Sequence, residues 1–165
     1  RQVSRARAIT AGFAALLAAS LIALGGCAVT KTSNIEQYQT EAEALATSIV
    51  ELVPAGAEVL PWNSAVATGG GTPDADVWWQ VAQAINTPEG VENGAEAAGE
   101  AITQGLEADG WESKQLDRSD AQRAVIGFKR DDAEGGNWYV ELRYRLGETG
   151  RGVDFLVVSP PTDAP

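Results

Sequence analysis

Chemistry in this chain has to be built from few side-chain types: one thiol at Cys27, twenty-three carboxylates and no imidazole. Without histidine, neither a Ser-His-Asp nor a Cys-His nucleophile system can be assembled, and a lone cysteine cannot make a thiolate and imidazole zinc site. Carboxylate chemistry, the chemistry of one thiol, or binding without bond-making remain. Asp74 and Asp76, with Asp131, Asp132 and Glu134, are the clustered acids on expected loops. Calcium takes about six to eight oxygens, and neither cluster has the spacing of an EF-hand loop, so they read as solvated turn acids. A glycosidase-type pair is defined by separation in space, and spacing in sequence nominates none. Gly69-Gly70-Gly71 lacks the lysine of a phosphate-binding loop and reads as a flexible linker. No metal, cofactor or catalytic residue is therefore expected.

The thiol is a different matter. Arg1, Arg5 and Arg7 precede an apolar run from Ala8 to Leu24 that contains no acid and no base. Those seventeen residues, ten of them Ala, Gly, Ser or Thr, fall short of the ~20 apolar residues that cross a bilayer comfortably. The outline is that of a signal sequence. Arg1 is not an initiator, so a few residues are expected to precede it. The run closes on Leu24-Gly25-Gly26-Cys27, where small residues let the backbone enter a narrow peptidase site and the thiol is free to form a thioether. This segment resembles the lipobox of bacterial lipoproteins. The resemblance implies that Cys27 is diacylated on sulfur and becomes the N-terminus once the signal peptide, residues 1–26, is removed. The protein would then be lipid-anchored on the extracytoplasmic face of the cell membrane, with residues 27–33 as lipidated cysteine and tether. Six residues beyond the cysteine reach at most about 20 Å, which keeps the domain close to the lipid. The competing reading is a buried, inert cysteine.

Without residues 1–26 the chain has nine basic and twenty-three acidic residues, and from Thr32 to Ser113 there are fourteen acids with no Lys or Arg. Nucleic acid is excluded as an expected partner, because phosphate binding draws its affinity from Lys and Arg.

The elements that position these groups follow from periodicity. Ile35, Tyr38, Ala42, Leu45, Ile49 and Leu52 recur at helical spacing, so 34–53 is expected to be an amphipathic helix, capped by Asn34 and stopped by Pro54. Residues 55–76 read as loop, with at most a short strand over 58–62. Over 76–86 the residues alternate and also allow a helix. Two adjacent Trp among β-branched residues favour a strand. Thr87-Pro88-Glu89 reads as the cap and first turn of a helix burying Val91, Ala95, Ala98, Ile102 and Leu106 and ending near Asp109-Gly110. Its glycines, Gly94, Gly99 and Gly105, are expected to permit close approach to a sheet. In the last third, Trp138, Val140, Leu142, Tyr144 and Leu146 share one face of a strand and Tyr139, Glu141, Arg143 and Arg145 the other. Segments around Ala124–Phe128 and Val153–Val157 complete an antiparallel meander, 111–116 can add a strand, and 160–165 reads as a tail.

The expected fold is a single α+β domain over 34–159, two layers deep, with helices on one face of a mostly antiparallel sheet. That order, the lipobox and the composition are together similar to small lipoproteins of the actinobacterial cell envelope, whose function is uncharacterised. The resemblance brings no catalytic residues. On a strand, Trp78 and Trp79 point to opposite faces, so one of them, with Tyr139, is a candidate binding surface for an envelope protein, a lipid or a glycan. The competing reading is that a helix or the long loop covers that second face. A binding or scaffolding module is the expected function. A carrier of a lipid or other apolar ligand is the alternative, and a carboxylate-based hydrolase a further one.

Overall fold

The computed structural model describes residues 33–72, 75–116, 121–133 and 135–165. The lipobox residues Leu24, Gly25, Gly26 and Cys27, and the acids Asp74 and Glu134, lie outside the described residues. Among the described residues no helix is long and apolar enough to cross a membrane.

The elements run α1 (Ile35–Glu51), β1 (Glu58–Val59), β2 (Asn63–Thr68), β3 (Val77–Asn86), α2 (Gly94–Ala108), β4 (Glu112–Gln115), β5 (Arg123–Asp131), β6 (Asn137–Arg145) and β7 (Gly152–Val158). All strand pairings are antiparallel, in the order β1-β3-β7-β6-β5-β4, with β2 also paired to β3. Both helices pack on one face, so the α+β two-layer architecture holds. Between the layers, Phe128, Leu142, Val140, Val157, Val81 and Ile102 have no exposed surface. Each fully buried side chain of this size contributes roughly 1.5–3 kcal/mol, and this interlayer is the main source of stability.

The period-two pattern decides β3, β6 and β7, whose odd or even members alternate between core and the other face. The strand preferred over 76–86 is observed, and so are the meander and the extra strand at β4. The last strand of the chain lies inside the sheet, with Val157 opposite Val81 of β3 and Phe155 opposite Leu142 of β6.

Four expectations are corrected. First, α1 forms as expected but its buried face is Ile35, Tyr38, Ala42, Ala46 and Ile49, with Leu45 only half-buried. The Asn34 side chain makes no capping bond. Its carbonyl accepts the Tyr38 N–H (2.9 Å) and its N–H donates to Thr162 Oγ1 (3.1 Å). Second, the expected loop over 55–76 contains β2, six residues laid along β3. Its composition hides it because an edge strand exposed on both sides needs little apolar surface. Third, α2 starts at Gly94, after Asn93 at φ 53°, and Val91 is exposed. Thr87 cannot cap it, because its N–H and hydroxyl both donate to the Arg151 carbonyl (2.9 and 3.1 Å) while Arg151 Nε donates to the Thr87 carbonyl (2.9 Å). These bonds prolong the β3–β7 ladder past the strand end. The expected close approach is real at Gly99, where a Cβ would lie 2.3 Å from the Tyr144 ring. Fourth, the expected tail is tied down: Thr162 exchanges backbone hydrogen bonds with Val77 (2.8 and 2.9 Å), and Ser159 and Pro160 are buried.

Candidate functional site

The helices cover the sheet face bearing Val81, Phe128, Leu142 and Phe155, and no second layer among the described residues covers the other face. Pairing register sets its occupants: Trp78, Gln80, Ala82 and Ala84 on β3, Asp154, Leu156 and Val158 on β7, and Tyr139, Glu141 and Arg143 on β6.

Of the three aromatic residues named from sequence, Trp79 turns to the helix side. Its indole N–H donates to Ser64 Oγ (2.7 Å), whose hydroxyl donates to Glu43 Oε1 (2.8 Å). That chain ties β3, β2 and α1 together, so the role of Trp79 is packing. Trp78 and Tyr139 both lie on the open face, but they are not neighbours. Tyr139 is opposite Val158, and Trp78 lies one strand further over and two residues along, roughly 12 Å away at ~4.8 Å per strand and ~3.4 Å per residue. The two rings also lean apart. A Cβ on Gly69 would come 3.3 Å from the Trp78 ring, and one on Gly127 would come 2.9 Å from the Tyr139 hydroxyl. The hydroxyl end of Tyr139 therefore reaches over Gly127 of β5, a position that only glycine leaves free. The Trp78 indole N–H is shielded from solvent and meets no acceptor among the described residues.

From Tyr139 a line of charge runs along the sheet away from Trp78. Tyr139 Oη donates to Glu141 Oε2 (3.3 Å), Arg143 Nε donates to Glu141 Oε1 (2.7 Å), and Arg143 Nη1 lies 3.8 Å from Asp154 Oδ2. The hydrogen bond to Glu141 holds the Arg143 pKa above the ordinary guanidinium value. Burial pushes the Asp154 carboxyl up. Arg143 and Arg123 pull it down and Glu141 adds to the rise, but at 3.8 Å Arg143 does not offset the lost hydration. Beside this line the short side chains of Ala82 and Ala84, with Leu156, leave a hollow of about 300 Å³, closed at one end by Pro61 and Asn63. Small floors between tall polar walls make a trough. A carboxylate pair bridged by a guanidinium offers both acceptors and forked donors along it.

Sequence reading missed this group because Glu141 and Arg143 looked like the wet side of a strand and Asp154 was not singled out. Spacing by two residues showed that Glu141 and Arg143 share a face. Only the β6–β7 register brings Asp154 opposite Arg143. The described loop acids do not join it. Asp132 Oδ1 accepts the Gly136 N–H (3.0 Å) and so shapes the β5–β6 turn, and Asp76 is exposed before β3. Among the described residues no three side chains of metal-ligating type gather.

Comparison with protein-family models, with curated proteins and with solved structures returns no match.

Proposed function

We propose that this protein is a lipid-anchored binding module of the bacterial cell envelope, held at the extracytoplasmic face of the cell membrane through Cys27 and taking its ligand on the open sheet face. The Leu24-Gly25-Gly26-Cys27 segment behind an apolar run supports the anchor, and its likeness to small actinobacterial lipoproteins supports the setting. The observation that carries the binding role is the face left uncovered by the described residues, with Glu141, Arg143 and Asp154 along a trough floored by Ala82 and Ala84, and Tyr139 bonded to Glu141 beside it.

Among protein, lipid and glycan ligands, a glycan suits this arrangement. Its hydroxyls pair with carboxylates and a guanidinium, and the C–H face of a sugar ring packs on a flat aromatic ring. The alternative, a carrier of an apolar ligand, requires a cavity between sheet and helices. The positions that would line it are filled by Phe128, Leu142, Phe155 and Ile102.

Titration of the isotope-labelled protein with soluble cell-wall glycan fragments tests the reading. Chemical-shift changes should gather on Tyr139, Glu141, Arg143 and Leu156 and disappear in Arg143→Ala. Shifts confined to the helix side, or none at millimolar glycan, would refute it.

A further inference from the structure

The second surface of interest is the sheet edge made by β1 and β2, and it does not depend on the open face. We propose that this edge takes an extended, cationic segment of another protein as an added β-strand.

Hydrogen bonding along β2 leaves the edge open. The Gly69 N–H donates to the Asp76 carbonyl (3.1 Å), which makes that pair a hydrogen-bonded one. In an antiparallel ladder such pairs alternate, so Asn63, Ala65 and Ala67 face β3 with their amides. Ser64, Val66 and Thr68 therefore aim N–H and C=O outward. β2 carries no charge and no proline over its six residues, so it lacks the usual devices that discourage pairing. The opposite edge differs: β4 has four residues and carries Glu112 and Lys114.

Apolar surface accompanies these free groups. Val59, Trp62 and Val66, exposed by 46, 42 and 47%, lie along this edge and are three of the four large apolar side chains left open among the described residues. Val59, Trp62 and Pro61 line a groove of about 420 Å³ whose other wall is Val50 and Thr47 of α1. A strand laid along β2 would place alternate side chains over Val66 and Trp62 and the remainder on the far face.

Charge selects the occupant. Glu51 is exposed next to Val50, Glu43 stands one turn before Thr47, Glu58 is exposed on the opposite face of the same edge, and α1, β1, β2 and β3 contain no Lys or Arg. A second copy of this chain would set acids against acids, and an anionic membrane would repel the same rim. The groove also lies toward the far end of α1: Val50 is sixteen residues beyond Asn34, about 24 Å along the helix at ~1.5 Å per residue. An extended segment that alternates apolar residues with Lys or Arg satisfies the backbone, the groove and the charge together.

The test is amide hydrogen exchange by NMR on the full chain in neutral detergent, with and without a ten-residue Lys-Val alternating peptide. The Ser64, Val66 and Thr68 amides should exchange at least about tenfold more slowly with the peptide, while Ala65 and Ala67, already bonded to β3, stay unchanged. Binding should weaken as sodium chloride rises from about 0.05 to about 0.5 M. A Glu-Val peptide should not protect the edge. Val66→Pro, which removes an outward N–H and spares the β3 ladder, should abolish the protection while the other resonances persist. The proposal fails if the three amides are unaffected or if the Glu-Val peptide binds equally. It also fails if protection appears without peptide as protein concentration rises, or with phosphatidylglycerol vesicles instead.

Discussion

Leu142 and Arg143 are adjacent in sequence, and their substitution by alanine should separate folding from binding. Leu142 has no exposed surface and sits in the middle of the sheet, opposite Ile126 on one side and Phe155 on the other. Removing it leaves a cavity that a strand bonded to neighbours on both sides cannot close, so Leu142→Ala should cost about 2–5 kcal/mol. The domain from Ser33 to Pro165 has about 133 residues, and at ~2.1 cal/mol/K per residue its unfolding entropy is about 0.28 kcal/mol/K. The loss then corresponds to a fall in Tm of roughly 7–18 °C. Arg143 is 43% exposed on its side chain, and its partners Glu141 and Asp154 are themselves in contact with water. An ion pair of that kind contributes at most about 1 kcal/mol, so Arg143→Ala should lower Tm by less than about 4 °C. Calorimetry and urea melts of both variants decide the matter. Equal losses would mean that the β6 register, and the assignment of Arg143 to the open face, is wrong. If the difference holds, Arg143→Ala is a folded protein in which loss of ligand can be attributed to the trough.

Cys27→Ser should leave an uncleaved precursor or release the protein to the medium, because two acyl chains at ~0.8 kcal/mol per buried methylene are needed for stable anchoring. Intact-mass analysis showing a free thiol on membrane-associated mature protein would refute it. Asp154 gives a pH dependence of defined sign. With its folded pKa raised by burial, the unfolded chain gives up this proton first as pH rises, so this group's contribution to stability falls from about pH 4 upward through the raised value. Asp154→Asn should therefore gain stability relative to the parent at pH 7 and not at pH 3, as read by urea melts. Arg143→Ala should steepen the parent slope. For the two tryptophans, Trp79→Phe removes the bond to Ser64 and should cost about 1 kcal/mol or more, whereas Trp78→Phe removes an N–H without an acceptor and should cost less. Thermal melts giving the reverse order would overturn the assignment of faces.

Periodicity alone determined much of this protein. The three- and four-residue spacing from Ile35 onward, the alternation over 77–86 and 138–146, and the turn residues between 131 and 153 each act within one element. Local spacing therefore placed α1, β3 and the β5–β6–β7 meander and fixed the α+β class. The lone cysteine after an apolar run is equally local, and sequence is where its meaning is carried. The remaining features depend on groups far apart in the chain. β7 enters the sheet beside β3 through bonds between residues some seventy positions apart, and that ladder takes Thr87 from α2 and delays the helix to Gly94. β2 exists because β3 has an unpaired edge, a demand no property of Asn63–Thr68 announces. Which tryptophan faces the helices is likewise a matter of which side of β3 they cover. The alternation shows that Trp78 and Trp79 oppose each other, but only α1, lying over Val81 and Ile85 and joined to Trp79 through Ser64 and Glu43, gives the pair its direction. The trough has the same origin: Glu141 and Arg143 share a face by spacing, and Asp154 meets them only because antiparallel pairing sets β7 against β6 in one register.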